Sequence, residues 1–279
     1  TLQRYKEIGI SAGVGFNNIS IVDKALNARR FSPNIPMNLA IALIFGLIAG
    51  VLLALLVEFL DDTLKNPEDV EKHLKLTVLG VIPMLQGGAT VDSAAADTRS
   101  EFAESYRSIR TSLQFSTSHG VPRSLLVTSA TPGEGKSTAS YMIARNFTEI
   151  GKRVLLLDTD MRKPSLHKKL KLDNALGLSV YLSGAVPITE IVQSSDTPGL
   201  SVITTGPLPP NPAELLLSEN MLKLIAHALE NYDQLVFDGP PVMGLADSPI
   251  VSSMVEGVIM VVEAGKTRKG LATNAVKRL

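Results

Sequence analysis

SLLVTSATPGEGKSTAS, residues 124–140, places an apolar run, a glycine-containing turn and a lysine in direct succession. Leu125, Leu126 and Val127 belong to a run bounded by turn residues, which predicts a buried parallel strand over residues 124–129. The pattern after the turn predicts a helix over residues 137–147. A small ligand is therefore expected between the strand and the helix.

The turn, ATPGEGKST, begins at Ala130 and matches a phosphate-binding loop except that this alanine replaces the usual first glycine. Gly133 and Gly135 let successive backbone N–H groups point at one phosphate chain, and the following helix adds its positive end. Lys136 is expected to reach the β- and γ-phosphates, and the Ser137 hydroxyl to bind Mg²⁺. The alternative, a glycine-rich turn without a ligand, is disfavoured by the order of strand, loop, lysine, hydroxyl and helix. The candidate nucleotide-binding residues are Thr131, Pro132, Gly133, Glu134, Gly135, Lys136, Ser137 and Thr138.

Helices and short buried strands alternate through the rest of the chain. Further strands are predicted at residues 153–157, 200–204, 234–237 and 258–262. This alternation predicts an α/β fold, a parallel sheet with helices on both faces, of the type found in P-loop nucleoside triphosphatases. Ligands of such sheets bind at the carboxyl ends of the strands.

Two of these strands end in aspartate. KRVLLLDTDMRKP places Asp158 and Asp160 after one strand, and alternation points both to the same side. YDQLVFDGPP places Asp238 after another, before a Gly-Pro-Pro that ends the strand. An apolar strand ending in aspartate is the usual Mg²⁺-side partner of a phosphate loop, so the predicted metal ligands are Ser137, Asp158 and Asp238. The predicted catalytic residues are Lys136, Asp158, Asp160 and Asp238, with Asp158 or Asp160 handling a proton. For each aspartate taken alone, a helix cap or a turn is the better explanation; it is their combination with the loop that predicts a site.

The composition excludes several other classes of site. Lys+Arg and Asp+Glu both number 27, so no overall field favours nucleic acid as a partner. The absence of cysteine excludes disulfides, thiol catalysis and cysteine-ligated metals. The four histidines lack the spacing of a metal site.

A long apolar segment precedes the predicted sheet. Residues 32–57 carry no charge, and residues 37–57 are apolar except for Asn38. At about 1.5 Å per residue such a helix spans the ~30 Å hydrocarbon core of a lipid bilayer, so we predict a transmembrane helix over residues 37–57. The alternative is a buried core helix, which the length of the uncharged run disfavours. Basic residues flank both ends, so the positive-inside rule leaves the orientation open.

Residues 58–98 are predicted to form a juxtamembrane segment and a linker. Asn66-Pro67 predicts the start of a short helix, and residues 77–82 predict a strand. The small, polar stretch QGGATVDSAAADTRS predicts a flexible linker that ends near Thr98.

Nearly the whole chain resembles the bacterial tyrosine kinases of capsule and exopolysaccharide export, also called polysaccharide co-polymerases with a tyrosine autokinase domain. Besides the membrane helix, the motifs that carry the resemblance are SPNIP, FLDDTLKNPEDVEKHLKLTVLGVIP, ESYRSIRTSLQF, ATPGEGKST, LLLDTDMRKP, TTGPLPPNPAELL and LVFDGPPV. The phosphate loop alone is shared with septum-site and chromosome-partitioning ATPases, but Thr131 lies where those carry an additional lysine.

The resemblance implies a membrane-anchored autokinase that moves the γ-phosphoryl group of ATP to tyrosine with the help of Mg²⁺. Because ATP is cytosolic, residues 99–279 are expected to form a cytoplasmic kinase domain at the bacterial inner membrane. Residues 1–36 are expected to be the end of a periplasmic chain-length-determinant domain. The implied partners are the polysaccharide polymerase and export machinery and a cognate tyrosine phosphatase.

ESYRSIR corresponds to a family motif that contacts the neighbouring subunit in a homo-oligomeric ring. Glu104, Arg107 and Arg110 recur every three residues and so share one helix face. Without the resemblance, this spacing indicates a solvated charged stripe. The family's tyrosine-rich tail and last strand have no counterpart here, and the five tyrosines form no cluster, so we expect a truncated piece of a longer protein.

Two alternative functions remain compatible with the sequence. In one, the protein is a scaffold in which nucleotide binding only sets the oligomeric state and thereby the polysaccharide chain length. In the other, it is a partitioning-type ATPase that releases phosphate to water, against which the membrane helix argues.

Overall fold

The computed structural model describes residues 32–85, 90–97 and 99–279. The chain divides into two units, residues 1–61 and residues 62–279. Most of the predicted periplasmic segment, residues 1–36, lies outside the described residues.

The described part of the first unit is dominated by one long helix, α1, over Ile35–Leu60. Pro36 lies in its first turn, where the missing N–H breaks no hydrogen bond, and Asp61 ends it in an extended conformation. Its 26 residues measure about 39 Å at about 1.5 Å per residue. None of them is buried and the helix is apolar on all sides, so it is long and apolar enough to cross a membrane.

The second unit is built on a sheet whose described strands run in the order β3-β4-β2-β5-β1-β6. All neighbouring strands are parallel except β3 and β4. The first, second and fifth strands are buried along their whole length, which explains their nearly continuous apolar sequence. The strands are β1 (Ser124–Ser129), β2 (Val154–Asp158), β3 (Val192–Ser194), β4 (Leu200–Ile203), β5 (Gln234–Asp238) and β6 (Gly257–Val261).

The α/β fold and the five predicted strands are confirmed, each strand to within one residue at either end. Helices cover both faces of the sheet because alternate strand residues point in opposite directions. Leu125 and Leu156 belong to the core on one face, whereas Leu126 and Leu155 belong to the core on the other. The helices of this unit are α2 (Pro67–Leu74), α3 (Val91–Ala96), α4 (Glu101–Gln114), α5 (Lys136–Thr148), α6 (Leu166–Leu170), α7 (Leu178–Leu182), α8 (Pro212–Leu216), α9 (Glu219–Asn231), α10 (Asp247–Ser252) and α11 (Lys269–Arg278).

The segment that opens the second unit docks on the loop between β6 and α11. The backbone N–H of Leu64 donates to the carbonyl of Thr267 at 2.9 Å, and the N–H of Gly265 donates to the carbonyl of Leu64 at 2.8 Å. The predicted helix start at Asn66-Pro67 is confirmed, because α2 begins at Pro67 with Asn66 as its N-cap. From Asp62 onward, the juxtamembrane segment is therefore part of the second unit.

Two predictions for residues 58–98 are wrong. Residues 77–82 form no strand; they pack on α4, where Gly80 lies so close to Ile109 that a Cβ atom would stand 2.7 Å from its Cγ1. Leu79 and Ile82 are partly buried against the core without any strand pairing, whereas Val81 stays 64% exposed. The predicted flexible linker contains helix α3, whose N-cap Thr90 accepts from the N–H of Ser93. Residues 86–89 and 98 of that linker lie outside the described residues.

Candidate functional site

The phosphate loop joins β1 to α5 at the carboxyl edge of the sheet. Gly133 and Gly135 adopt φ angles of +89° and +85°, a region that side chains other than glycine rarely enter. A Cβ atom on Gly135 would meet nothing within 4 Å, and one on Gly133 would meet only the Lys266 Nζ atom at 4.0 Å. Glycine is therefore needed at these positions for its backbone conformation and not for lack of space, and that conformation lets N–H groups of the loop turn towards a phosphate chain. The nearby Lys266 ammonium is paired with Glu263 at 2.8 Å.

The side chain of Glu134 holds this loop in shape. Its carboxylate accepts hydrogen bonds from the N–H of Thr131 at 3.1 Å, the hydroxyl of Thr131 at 2.8 Å and the hydroxyl of Thr267 at 2.7 Å. Glu134 is buried, so these bonds satisfy a charge that has little access to water. Thr267 lies in the loop that receives the juxtamembrane segment, which links that segment to the phosphate loop.

Lys136, the first residue of α5, forms a buried ion pair with Asp160. Its Nζ atom lies 2.7 Å from Asp160 Oδ2, and the two residues are 9% and 2% exposed. Burial alone would lower the pKa of Lys136, but the carboxylates of Asp238, Asp160 and Asp158 outweigh it and raise the pKa. The ammonium group therefore stays charged near neutral pH.

Asp158 and Asp238 end the neighbouring strands β2 and β5 and pair with each other in the strand register. Both are fully buried. Burial raises the pKa of Asp158 to about 8, with further increases from the charges of Asp238 and Asp160. Burial likewise raises the pKa of Asp238, against the opposing effect of Lys136. The structure thus brings the four predicted catalytic residues together.

Asp238 has one carboxylate oxygen that is buried without a hydrogen-bond partner among the described residues. Its Oδ1 atom accepts from the Ser140 hydroxyl at 3.0 Å, whereas the described part of the chain offers no partner to Oδ2. Ser137 lies at the start of α5, on the same edge of the sheet. The described residues contain no cluster of three or more histidine, cysteine or acidic side chains that could hold a metal. Mg²⁺ usually binds through one or two carboxylates with phosphate oxygens and water, so Ser137, Asp158 and Asp238 fit that ion.

The remaining predicted loop residues have more peripheral positions. The Thr138 hydroxyl accepts from Lys169 Nζ at 2.5 Å, and Pro132 is exposed at the tip of the loop.

Two residues that the sequence did not assign to the site shape the loop after β2. The Arg162 guanidinium donates two hydrogen bonds to the buried Asp247 carboxylate, at 2.7 Å and 3.2 Å. The backbone N–H groups of Arg162 and Lys163 donate to Asp160 Oδ1 at 3.3 Å and 3.0 Å. This pair therefore fixes the backbone that orients Asp160. The stretch that contains Arg162 is among the motifs singled out from the sequence, but Asp247 lies 85 residues away and carries no local signal.

The charged stripe of α4 lies near the other end of α5. Arg107 Nη1 is 2.9 Å from Glu104 Oε2. Arg107 and Arg110 both approach the Glu149 carboxylate, at 4.0 Å and 3.9 Å. Arg110 also donates to the carbonyl of Asn146 at 2.8 Å. The three predicted interface residues thus share one face of the helix, as their spacing predicts. Arg110 contacts the last turn of α5, and both arginines approach Glu149 just beyond it.

Comparison with known proteins identifies the family. Residues 124–274 match the family of AAA domains. The tyrosine-protein kinase YwqD of Bacillus subtilis is 41% identical over 186 residues, which cover 67% of this chain and 78% of that protein. The tyrosine-protein kinase etk of Escherichia coli K12 is 28% identical over 300 residues, covering 100% of this chain but only 41% of that protein.

A solved structure agrees with the sequence matches. The kinase domain of the E. coli tyrosine kinase ETK has a TM-score of 0.71 and 30% sequence identity, over 77% of this chain and 89% of that structure. The chain therefore belongs to the family of AAA domains and, within it, to the bacterial tyrosine-protein kinases.

Proposed function

We propose that this chain is a membrane-anchored kinase that transfers the γ-phosphoryl group of ATP to tyrosine hydroxyls. The observation that carries the proposal is that Lys136, Asp158, Asp160 and Asp238 lie together beside the phosphate loop. Backbone N–H groups of the loop and the Lys136 ammonium would stabilise the charge on the transferred group. Mg²⁺, held by Ser137, Asp158 and Asp238, would neutralise phosphate charge when bound.

The two proton-handling candidates differ in how their oxygens are used. Asp158 accepts from the N–H groups of Asp160 at 3.1 Å and Leu166 at 3.3 Å, so both of its oxygens are engaged by backbone. Asp160 Oδ2 is held by Lys136, and we propose that nucleotide binding draws this lysine to the phosphates and frees the oxygen. We therefore assign Asp160 as the acceptor of the tyrosine proton. The bond between the γ-phosphorus and the bridging oxygen of ADP breaks as the bond to the tyrosine oxygen forms, and ADP leaves.

The cellular arrangement follows from α1 and from the location of ATP. We propose that residues 37–57 span the bacterial inner membrane, with residues 1–36 in the periplasm and residues 58–98 connecting to a cytoplasmic kinase domain at 99–279. The family context supports a role in exopolysaccharide or capsule polymerisation and export, with the export machinery and a tyrosine phosphatase as partners.

We further propose that Glu104, Arg107 and Arg110 contact a neighbouring subunit in a ring. The side chains of Arg107 and Arg110 are 26% and 18% exposed, so they reach the surface while resting against their own α5. Charge-assisted hydrogen bonds from a planar guanidinium suit such a contact.

Transfer of labelled phosphate separates the kinase from the scaffold. The full chain in detergent micelles is incubated with Mg²⁺, γ-labelled ATP and a tyrosine-containing peptide, beside a Ser-substituted peptide as the matched control. We expect label on tyrosine only. Nucleotide binding without any labelled tyrosine would favour the nucleotide-switched scaffold, and release of phosphate to water alone would favour the ATPase.

A further inference from the structure

A cavity opens on the same edge of the sheet, beside the loop that follows Asp160. Its volume is about 490 Å³. It is lined chiefly by Lys163, Pro164, His167, Lys168, Pro207 and Leu208, a set that we call the basic cleft.

The position of the basic cleft follows from the strand order. One wall is the loop after β2 together with α6, and the other is the loop after β4. The sheet order β4-β2-β5-β1 places the end of β2, with Asp160, between this cavity and the phosphate loop that follows β1. A group bound in the cleft therefore approaches Asp160 from the side opposite to the nucleotide. An acceptor in an in-line phosphoryl transfer must come from that side.

The two walls are held in place by hydrogen bonds. Asn174 and Gly206 exchange two of them, from Asn174 Nδ2 to the Gly206 carbonyl at 3.0 Å and from the Gly206 N–H to Asn174 Oδ1 at 2.9 Å. The Thr205 hydroxyl donates to the carbonyl of Asp158 at 3.3 Å, which ties the β4 loop to the end of β2. On the other wall, the Lys163 N–H donates to Asp160 Oδ1 at 3.0 Å. The cleft is thus fixed relative to the reacting carboxylate.

The charge of the cleft is uncompensated. No carboxylate lies within 4.0 Å of the ammonium groups of Lys163 or Lys168 in the described part of the chain, and no acidic residue lines the cavity. The Nδ1 atom of His167 is buried and has no hydrogen-bond partner among the described residues. Pro164, Pro207 and Leu208 supply an apolar surface between these polar groups. Such a combination suits an aromatic residue with negatively charged neighbours.

We propose that the basic cleft binds acidic residues that flank the acceptor tyrosine, so that the enzyme selects acidic tyrosine segments. This inference rests on the proposed kinase function, because the cleft is assigned to the acceptor. Lys163 and Lys168 would attract the flanking carboxylates, while the proline and leucine surface receives apolar parts of the segment. Rim charges of this kind act mainly on specificity and association rate.

Two peptides that differ only in charge test the proposal. One carries tyrosine flanked by glutamates, and the other has every glutamate replaced by glutamine. Fluorescence anisotropy without ATP measures their binding to the full chain in detergent micelles. The acidic peptide should bind at least about tenfold more tightly, and the double variant Lys163→Glu with Lys168→Glu should lose most of that difference, since several rim charge pairs together reach this size.

Control variants make the result decisive. Lys277→Glu, an exposed lysine on α11, should keep the wild-type preference, and Lys163→Gln with Lys168→Gln should fall between wild type and the reversed variant. ATP affinity should be unchanged in all of them. Equal affinity of the wild type for both peptides, or an unchanged preference in the double variant, would overturn the proposal.

Binding and transfer then separate the two proposals. If the wild type prefers the acidic peptide through Lys163 and Lys168 but phosphorylates neither peptide, the cleft stands and the kinase function fails. If it phosphorylates both peptides with equal KM and the double variant does the same, the kinase function stands and the cleft assignment fails.

Discussion

Charged residues meet opposite surroundings at the two ends of α5. At its first residue, Lys136 lies 9% exposed among three aspartates that are almost fully buried. Beyond its last residue, Glu149 lies beside Arg107 and Arg110 of α4, and their neighbour Glu104 is 69% exposed. The same residue types are thus held in a nearly dry site at one end and in partial contact with water at the other.

The difference determines what each region can do. A buried charge that loses its partner cannot be rescued by water, so it shifts its pKa or destabilises the fold. An exposed charge that loses its partner is resolvated at little cost. The buried region around Lys136 is therefore suited to moving protons and phosphoryl groups, whereas the exposed region around Glu149 is suited to contact with another surface. Each of the following substitutions tests one side of this comparison.

The largest effect is expected from Lys136→Met. The change removes the phosphate-binding charge but keeps an apolar stem of similar length, so the core remains filled. Transfer of label to tyrosine should fall by about 10³-fold or more. Lys277→Met, on the exposed side of α11, is the matched control and should keep full activity. Undiminished transfer in the Lys136 variant would refute the assignment of the phosphate loop.

Smaller effects are expected from substitutions of Asp160 and Asp238, one on phosphoryl transfer and the other on nucleotide binding. Asp160→Asn should slow transfer by about 10²-fold, because the proton acceptor is lost. It should bind a non-hydrolysable ATP analogue at least as tightly as the wild type, because Lys136 is released from its ion pair. Asp238→Asn should instead weaken binding of the analogue with Mg²⁺. Calorimetric titration beside the transfer assay measures both, and equal loss of affinity in the two variants would contradict this division.

At the exposed end, Arg107→Ala combined with Arg110→Ala should leave nucleotide binding intact and weaken association between subunits. Loss of charge-assisted bonds at an interface costs about 2–5 kcal/mol, which is more than tenfold in affinity. Light scattering of the full chain in detergent, corrected for the micelle, gives the mass. Arg107→Ala alone is the companion variant because it preserves the bond from Arg110 to the Asn146 carbonyl. If the double variant keeps the wild-type mass, the charged stripe is a solvated surface with no role in association between subunits.

The smallest effect is expected from an ion pair on the surface. The hydrogen bonds from Arg153 lower the pKa of Asp233 to about 2. A lowered pKa adds stability that is present above the ordinary value of 3.8 and is lost as the pH falls towards 2. Because both side chains are well exposed, water screens most of this gain. Asp233→Asn should therefore leave the urea midpoint of unfolding at pH 7 nearly unchanged. A large decrease in that midpoint would contradict the contrast between buried and exposed charges.

The sequence predicted most of the sheet because buried parallel strands are short apolar runs bounded by turns. It missed β3, Val192–Ser194, because this antiparallel edge strand is three residues long and contains only one apolar residue. It wrongly predicted a strand at residues 77–82 because an apolar run carries no information on what covers it. Contact with α4, which is set by tertiary packing, replaced strand pairing there.

In the site, too, residues with a local sequence signal could be predicted, whereas residues placed by tertiary packing could not. Lys136, Asp158 and Asp238 could be found because each follows or ends an apolar strand, where the fold brings ligands. Thr267 and Asp247 could not, because their partners Glu134 and Arg162 lie 133 and 85 residues away in the sequence. Nothing in the sequence around Thr267 or Asp247 distinguishes them from ordinary polar residues. Whether the predicted site residues act as assigned stays a prediction for the variants above.

The ion pair between Lys136 and Asp160 has a consequence for how nucleotide is recognised. Lys136 has already given up most of its hydration shell, so an arriving phosphate exchanges with a carboxylate instead of stripping water from an ammonium group. Asp160 thus occupies the position that the phosphate takes on binding. The measured nucleotide affinity therefore reports the difference in free energy between the Lys136–phosphate pair and the Lys136–Asp160 pair. Adenosine, which lacks phosphates, has no charge with which to displace Asp160. The site is therefore expected to discriminate among ligands by the charge of their phosphate chain before it senses anything about the base.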